Sequence, residues 1–471
     1  MLFNSLSFIV FLVIVLALYY SKLFNWTNKK RLLLFASYVF YGLWNPPLIL
    51  LLWISTIVDW ITGKKLAIEE NQRKRKLWLL LSMAVNLGFL GFFKYGNFLL
   101  ENFTSLMNSI GVEFHAQPMD IILPMGISFY TFQTMSYTID MYLKRTERAK
   151  TFLDFALYVT FFPQLVAGPI VRASDLISQF YEEKKATVNQ FIWGTFLLTI
   201  GLFQKVVLAD TLLANTSDEV FGAKEVLSSL DAWAGTLAFS GQIFFDFAGY
   251  STCAIGIALM LGIILPDNFR YPYAAIGFSD LWKRWHISLS SWLKDYLYIP
   301  LGGNKRGVLR MYIALMLTML LGGLWHGAAW TFVIWGALHG IYLVIERLLK
   351  TKVHIRINAV NGVFLALLTY TFVNFTWVFF RAREFSTAKN MITSMLFMNG
   401  DGKKLLQSFD IIKVFALTAI LFSCHWLMRN TSMEAVSKKT SPWLLGIVWA
   451  VMFFLITIAQ GSGEQFIYFQ F

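Results

Sequence analysis

Two histidines of this chain could do chemistry, one in a stretch where a polar side chain is costly and one in an aromatic, basic and polar cluster. His326 falls in LLGGLWHGAAWTFVIWGALHG (320–340), a stretch apolar enough for lipid that holds five glycines. His286 falls in WKRWHISLSSW, beside Trp282, Trp285 and Trp292. An imidazole at membrane depth is a functional-site candidate by default; the alternative is a packing histidine satisfied by a backbone carbonyl. Burial disfavours imidazolium, so a desolvated His326 is neutral and able to take a proton from a hydroxyl. Gly322, Gly323 and Gly327 place a helix break at His326, with Trp325 and Trp330 beside it. The cluster around His286 reads either as an interfacial Trp/Lys belt or as a second polar site. His339 lies 13 residues after His326, about 140° around a continuous helix, so the two do not face one metal and His339 reads as structural or supporting. His115, His354 and His425 lack such company and are assigned nothing. Cys253 and Cys424 sit in apolar surroundings that support neither a disulfide framework nor a thiolate metal site. No metal site is expected.

The elements that must position these residues are membrane helices. The 471-residue chain is 57% hydrophobic and only 14% charged, with a mean hydropathy of +0.58, far from a soluble domain's roughly 25% charged residues. Apolar runs near the ~20 residues needed to cross a bilayer recur from end to end. The net charge of +13 sits in short basic loops, the positive-inside pattern with attraction to anionic headgroups, and not in a nucleic-acid surface. SLSFIVFLVIVLALYYSKLF at the start reads as a retained first helix, since it lacks a basic n-region and a small-residue cleavage site.

Charge also orders the topology. SKLFNWTNKKR and GKKLAIEENQRKRK read as cytoplasmic, joined by a hairpin turning at Pro46 and Pro47. The stretch from Tyr95 to Leu143 has no Lys or Arg, so its loop at 101–120 reads as outside and KRTERAK (144–150) as inside. Segments 161–175 and 278–307 read as re-entrant or interfacial, tolerated only where protein or a wet cavity satisfies the backbone. Helices near 311–325, 327–347, 358–380, 411–428 and 442–460 bring the expected total to eleven or twelve spans. Counting then puts 381–409 outside, in conflict with Arg381, Arg383, Lys389, Lys403 and Lys404. Basic residues flank the 311–347 stretch at both ends, so it should enter and return on one side. Gln133, Tyr137 and Asp140 share one helical face, as do Gln242, Asp246 and Tyr250; either set is interhelical hydrogen-bonding glue or the lining of a wet cavity. There is no G-x-S-x-G elbow, nucleotide-binding P-loop or H-E-x-x-H segment.

Five segments occur in order: PMGISFYTFQTMSYTIDMY, FFPQLVAGPIVRASDLISQF, GYSTCAIGIALMLG, FSDLWKRWHISLSSWLKDYLYIPLGGNKRG and GGLWHGAAWTFVIWGALHG. Together they resemble the membrane-bound O-acyltransferase (MBOAT) family, in its bacterial alginate O-acetyltransferase branch, from residue 1 to about 380. The resemblance implies an all-α polytopic protein, a ring of about 11–12 helices with re-entrant segments around a central cavity. It implies one membrane domain over 1–471, with core motifs at about 118–347. His326 matches the family's invariant histidine and His286 its second, polar site. Trp285, Trp292, Asp295, Tyr296, Trp325, Gln133 and Asp140 are then candidates for the substrate and acyl channel. Lys294, Asn304, Lys305 and Arg306, with Arg310, form a loop that could attract an anionic donor or simply carry positive-inside charge. The implied donor is acetyl-CoA, or a thioester on an acyl carrier protein, used as substrate with no permanently bound cofactor. The implied acceptor is a secreted or cell-envelope polysaccharide, with an SGNH-type acetyltransferase as partner outside. The location is the bacterial cytoplasmic membrane. The competing readings are D-alanyl transfer to teichoic acid and, from another class, a polysaccharide or lipid transporter; no inverted copy of WHISLSSW or LWHG supports the latter.

Overall fold

The computed structural model describes residues 1–353, 356–400, 402–459, 466 and 467, and His354 lies outside them. The described residues are helical, without a strand beyond one isolated bridge between Leu227 and Lys403. Nine helices among them are long and apolar enough to cross a membrane, fewer than the eleven or twelve spans expected. The difference lies in short pieces. Leu6–Tyr20 has 15 residues and Ile127–Tyr142 has 16, while Trp26–Gly42 opens on Asn-Lys-Lys-Arg. The outside loop expected at 101–120 is also shorter, because Gln72–Ser109 stays helical to Ser109. No glycine or proline interrupts it after Gly96, and the turn comes at Gly111, where φ is +84°.

The chain forms two compact units, one of residues 1–198 with 253–266 and one of residues 199–252 with 267–471. In the first, a buried carboxylate replaces apolar packing between three helices. Asp59 accepts from Ser82 Oγ, Asn86 Nδ2 and Thr138 Oγ1, which satisfies an otherwise costly group. Arg75 is 2% exposed, and its guanidinium donates to the carbonyls of Leu66, Glu69, Met141 and Tyr142. One cation thus covers the carbonyl-rich ends of Ile49–Ile68 and Ile127–Tyr142. Segment 161–172 is buried and non-helical apart from turns, as its prolines and glycine require.

The second unit holds the histidines in an aromatic core. Its central element is the hairpin of Val308–His326 and Trp330–Lys352. The helices meet backbone to backbone at Gly323 and Gly336. A Cβ on Gly323 would lie 2.3 Å from the Phe332 carbonyl, and one on Gly336 2.3 Å from that of Met319. Small residues spaced as in Gly336-x-x-x-Gly340 permit that approach in a membrane helix pair. The hairpin's two ends return to one side, as expected: Arg347 Nη1 donates to Asn304 Oδ1 at 3.4 Å.

Elsewhere in this unit the helix widens to π-helical geometry over Phe203–Ala214, and Lys205 there pairs with Asp210 at 2.8 Å and Asp246 at 2.5 Å. The basic residues of 381–409 are partly neutralised on the spot. Arg381 pairs with Asp218 and Lys403 with Glu225, which weakens their force as a sidedness signal.

Candidate active site

His286 and His326, 40 residues apart in sequence, are brought to 6.4 Å between ring centres. His326 is the last residue of Val308–His326 and is 3% exposed. The chain then runs extended through Gly327 to Ala329 before the next helix starts. Because the helix ends there, the expected angle of about 140° between His326 and His339 does not apply: the two stand on different helices. The ring of Trp335 adjoins both, 5.0 Å from His326 and 4.7 Å from His339. His339 is held by the hydroxyl of Thr376 at 3.1 Å from Nε2. Its contact with the site therefore runs through Trp335, as a supporting residue.

His286 is completely buried and caps the short helix Ile287–Leu293 with φ +43° and ψ 55°. This left-handed conformation is uncommon outside glycine and concentrates at functional sites. Asn268 supports it: the Ile287 N–H donates to the Asn268 carbonyl at 2.9 Å, and Nδ1 of His286 lies 3.2 Å from Asn268 Oδ1. That oxygen also accepts from the backbone N–H and the hydroxyl of Ser288. A backbone N–H can only donate, so the group facing it is the amide oxygen, and His286 must donate from Nδ1. The lone pair of the neutral ring is then on Nε2. Burial pushes the His286 pKa down to about 3, so the ring is neutral throughout the physiological range. Phe247 packs against it at 4.6 Å, and Phe269 at 6.5 Å.

Trp325 flanks the pair, 6.0 Å from His286 and 5.0 Å from His326. Trp285 is buried against Phe269, Tyr273 and Trp377 and so forms the wall behind His286. Trp292 is buried and pairs with Tyr296 at 5.1 Å. Leu293, its neighbour, meets Gly322 one turn before His326. Asp295 and Tyr296 are half-buried on the turn that follows. Lys294, Asn304, Lys305 and Arg306 are exposed, and Asn304 also accepts from Tyr298 Oη at 2.7 Å. Gln133 and Asp140 belong to the other unit. There Gln133 donates to the Tyr158 carbonyl at 2.6 Å and Asp140 faces Arg145 at 3.8 Å. Within that unit Tyr137 Oη also accepts from the Ala149 N–H at 3.4 Å, and in the second unit Asp246 pairs with Lys205.

Sequence reasoning missed Asn268, Phe247, Trp335 and Phe380, whose ring is 5.4 Å from His326. Trp335 lies within the GGLWHGAAWTFVIWGALHG segment but was not singled out there, and Asn268, Phe247 and Phe380 lie outside the five segments; only the need of His286 for an Nδ1 acceptor hinted at a residue such as Asn268. His425, assigned nothing, is buried with Nδ1 accepting from the Tyr273 N–H at 3.2 Å. Among the described residues no group of three or more His, Cys, Asp or Glu side chains is arranged for a metal. A pair of buried imidazoles suits proton transfer and hydrogen bonding to a reacting hydroxyl.

Fold and site define a polytopic helical membrane protein built around a buried histidine pair. The model of the MBOAT, membrane-bound O-acyltransferase, family matches residues 148–366, which include both histidines. A probable alginate O-acetylase of Pseudomonas putida is 38% identical over the full length of both chains. The peptidoglycan O-acetyltransferase of Helicobacter pylori is 40% identical over 79% of this chain and 74% of its own. The teichoic acid D-alanyltransferase of Bacillus subtilis is more distant, at 26% over 58% of this chain and 72% of its own. The chain belongs to the membrane-bound O-acyltransferase family, in the branch of the alginate O-acetylases, and is an O-acyltransferase.

Proposed function

We propose that this enzyme moves an acetyl group from a cytoplasmic thioester, acetyl-CoA, toward hydroxyls of a secreted or cell-envelope polysaccharide. The observation that carries this reading is the buried pair His286 and His326 at 6.4 Å. The relatives named for alginate and peptidoglycan O-acetylation support the acceptor class. In this reading His326 takes the proton of the attacking hydroxyl, a role typically worth ~10²–10⁴-fold. His286, held neutral with its lone pair on Nε2, accepts a hydrogen bond from the same acceptor and orients it. The thioester already stores the energy of transfer, so the reaction needs no nucleotide site. Lys294, Lys305 and Arg306 would draw the phosphates of the donor, and an SGNH-type acetyltransferase would finish the transfer outside the bacterial cytoplasmic membrane.

The test uses purified protein in proteoliposomes, supplied either with radiolabelled acetyl-CoA or with an acyl-charged carrier protein. Label should pass from acetyl-CoA to a polysaccharide acceptor in the wild type and not in His326→Ala. Transfer from the charged carrier alone would move the donor assignment to the D-alanyl type.

A further inference from the structure

Trp335 carries a feature that the two histidines do not explain. Its ring is 1% exposed and that of Trp377 2%, and they stack at 6.0 Å with 25° between planes. The indole N–H of each is buried without a hydrogen-bond acceptor among the described residues. An indole N–H donates only and does not titrate, so burial without an acceptor costs about 1–3 kcal/mol apiece. Buried polar groups are paired in the great majority of cases, and an exception calls for a reason. Trp282, which packs on Trp335 and His339, shares this feature but has no ring contact with His326 to match that of Trp335 at 5.0 Å. By contrast, the Trp233 N–H donates to the Met395 carbonyl at 3.0 Å and that of Trp449 to Thr199 Oγ1 at 2.8 Å.

Trp335 is also held firmly. It sits one residue before Gly336, at the point of closest approach between the two hairpin helices, and it adjoins His326, His339, Trp377 and Phe380 at 4.7–6.0 Å. Its ring, and with it an indole N–H buried without an acceptor among the described residues, is therefore held 5.0 Å from the ring of His326. Acyl transfer needs both a base and a donor for the oxygen on which negative charge develops.

We infer that the indole N–H of Trp335 binds the carbonyl oxygen of the acyl group and stabilises the oxyanion, a catalytic role that rests on the reading of His326 as base. The acceptor oxygen bonds to the carbonyl carbon while its proton passes to His326. The carbonyl π pair moves onto oxygen, where Trp335 holds it. Collapse re-forms the carbonyl and breaks the C–S bond, and the departing thiolate takes the proton from the imidazolium. The hydrogen bond strengthens as charge appears on oxygen, so its loss falls on kcat more than on KM. His339, packed on Trp335 and fixed by Thr376, is a positioning residue.

The test replaces Trp335 with β-(3-benzothienyl)alanine by codon suppression, which keeps ring shape and removes only the N–H. Thiol release from acetyl-CoA is followed with a soluble oligosaccharide acceptor in detergent. The expected result is a fall in kcat of about 100-fold with KM and melting temperature close to wild type. The same replacement at Trp233 should lower the melting temperature and leave kcat unchanged. Wild-type kcat in the 335 analogue overturns the donor role. If the analogue does not fold, Trp335→Phe is read by the same criterion, on kcat of its folded fraction. His326→Ala runs in parallel: an inactive His326→Ala with an unaffected analogue sinks this inference alone, whereas an active His326→Ala sinks the reading of the site beneath it.

Discussion

At the level of single side chains, the proposed chemistry concentrates on neutral imidazoles. His326→Ala should abolish polysaccharide acetylation in cells while the purified protein keeps a wild-type melting transition. Wild-type acetyl content in that strain would end the general-base role. His286→Ala should impair activity strongly and His339→Ala mildly, because His286 is within 6.4 Å of His326 whereas His339 reaches it only through Trp335. The opposite ranking would displace His286 from the site. The neutral state of His286 also has a consequence for stability. Its pKa is lowered by burial from the ordinary 6.5 to about 3, so between those values the unfolded chain binds a proton that the folded chain does not. Stability from this residue is complete above about pH 6.5 and is lost progressively as pH falls toward 3. The melting temperature should therefore drop between pH 7.5 and 5.5, and less steeply in His286→Asn. Parallel curves for the two proteins would mean that His286 is not buried neutral.

At the level of helices, two contacts govern geometry. The pair Gly323 and Gly336 lets Val308–His326 and Trp330–Lys352 touch, and that contact sets Trp335 against His326. Gly336→Ala would place a Cβ 2.3 Å from the Met319 carbonyl, a backbone atom that cannot rotate away. The expected cost is about 1–3 kcal/mol of overpacking, read as a lower melting temperature together with loss of transfer activity. A fully active, equally stable Gly336→Ala would show that the helices separate without harm. In the other unit, Arg75→Met would leave four carbonyls on two helix ends without their cationic donor. At roughly 1.5–3 kcal/mol for each hydrogen bond to a charged group, it should be among the most destabilising single changes there, visible as a collapse in detergent-stable yield.

For the molecule as a whole, the open question is sidedness, on which a transmembrane transfer depends. The loop at 110–126 has no Lys or Arg and the turn at 302–307 carries Lys305 and Arg306. Single cysteines at Gln117 and Asn304, both exposed, can be probed with a membrane-impermeant thiol reagent in a background lacking Cys253 and Cys424. Gln117→Cys should label in intact spheroplasts and Asn304→Cys only after lysis. Labelling of Asn304→Cys in intact cells would put the basic turn outside, and cytoplasmic CoA could not be the donor even if His326 proved essential.

Apolar runs near bilayer length were enough to place the chain among membrane proteins, and the glycines next to His326 marked the break between helices expected near 311–325 and 327–347, which the structure sets at Val308–His326 and Trp330–Lys352. The sequence also singled out His326, because an imidazole in an apolar, glycine-broken stretch is expensive enough to stand out, whereas His286 read on its residues as an interfacial belt or a second site and became a candidate through the family resemblance. It could not supply the pairing. Asn268, Phe247 and Phe380 sit in ordinary apolar or loop sequence and gain meaning only when the chain brings them to within a few ångströms of the two rings. The nine long apolar helices are fewer than the expected spans because length counts as well as hydropathy: Leu6–Tyr20 is apolar but short. The polar stripe with Gln133 read equally as glue or as a cavity lining, and the hydrogen bond from Gln133 to the Tyr158 carbonyl is a contact that no local sequence pattern could name. Only tertiary packing, fixed here by a backbone contact at Gly323 and Gly336, set an indole N–H beside an imidazole.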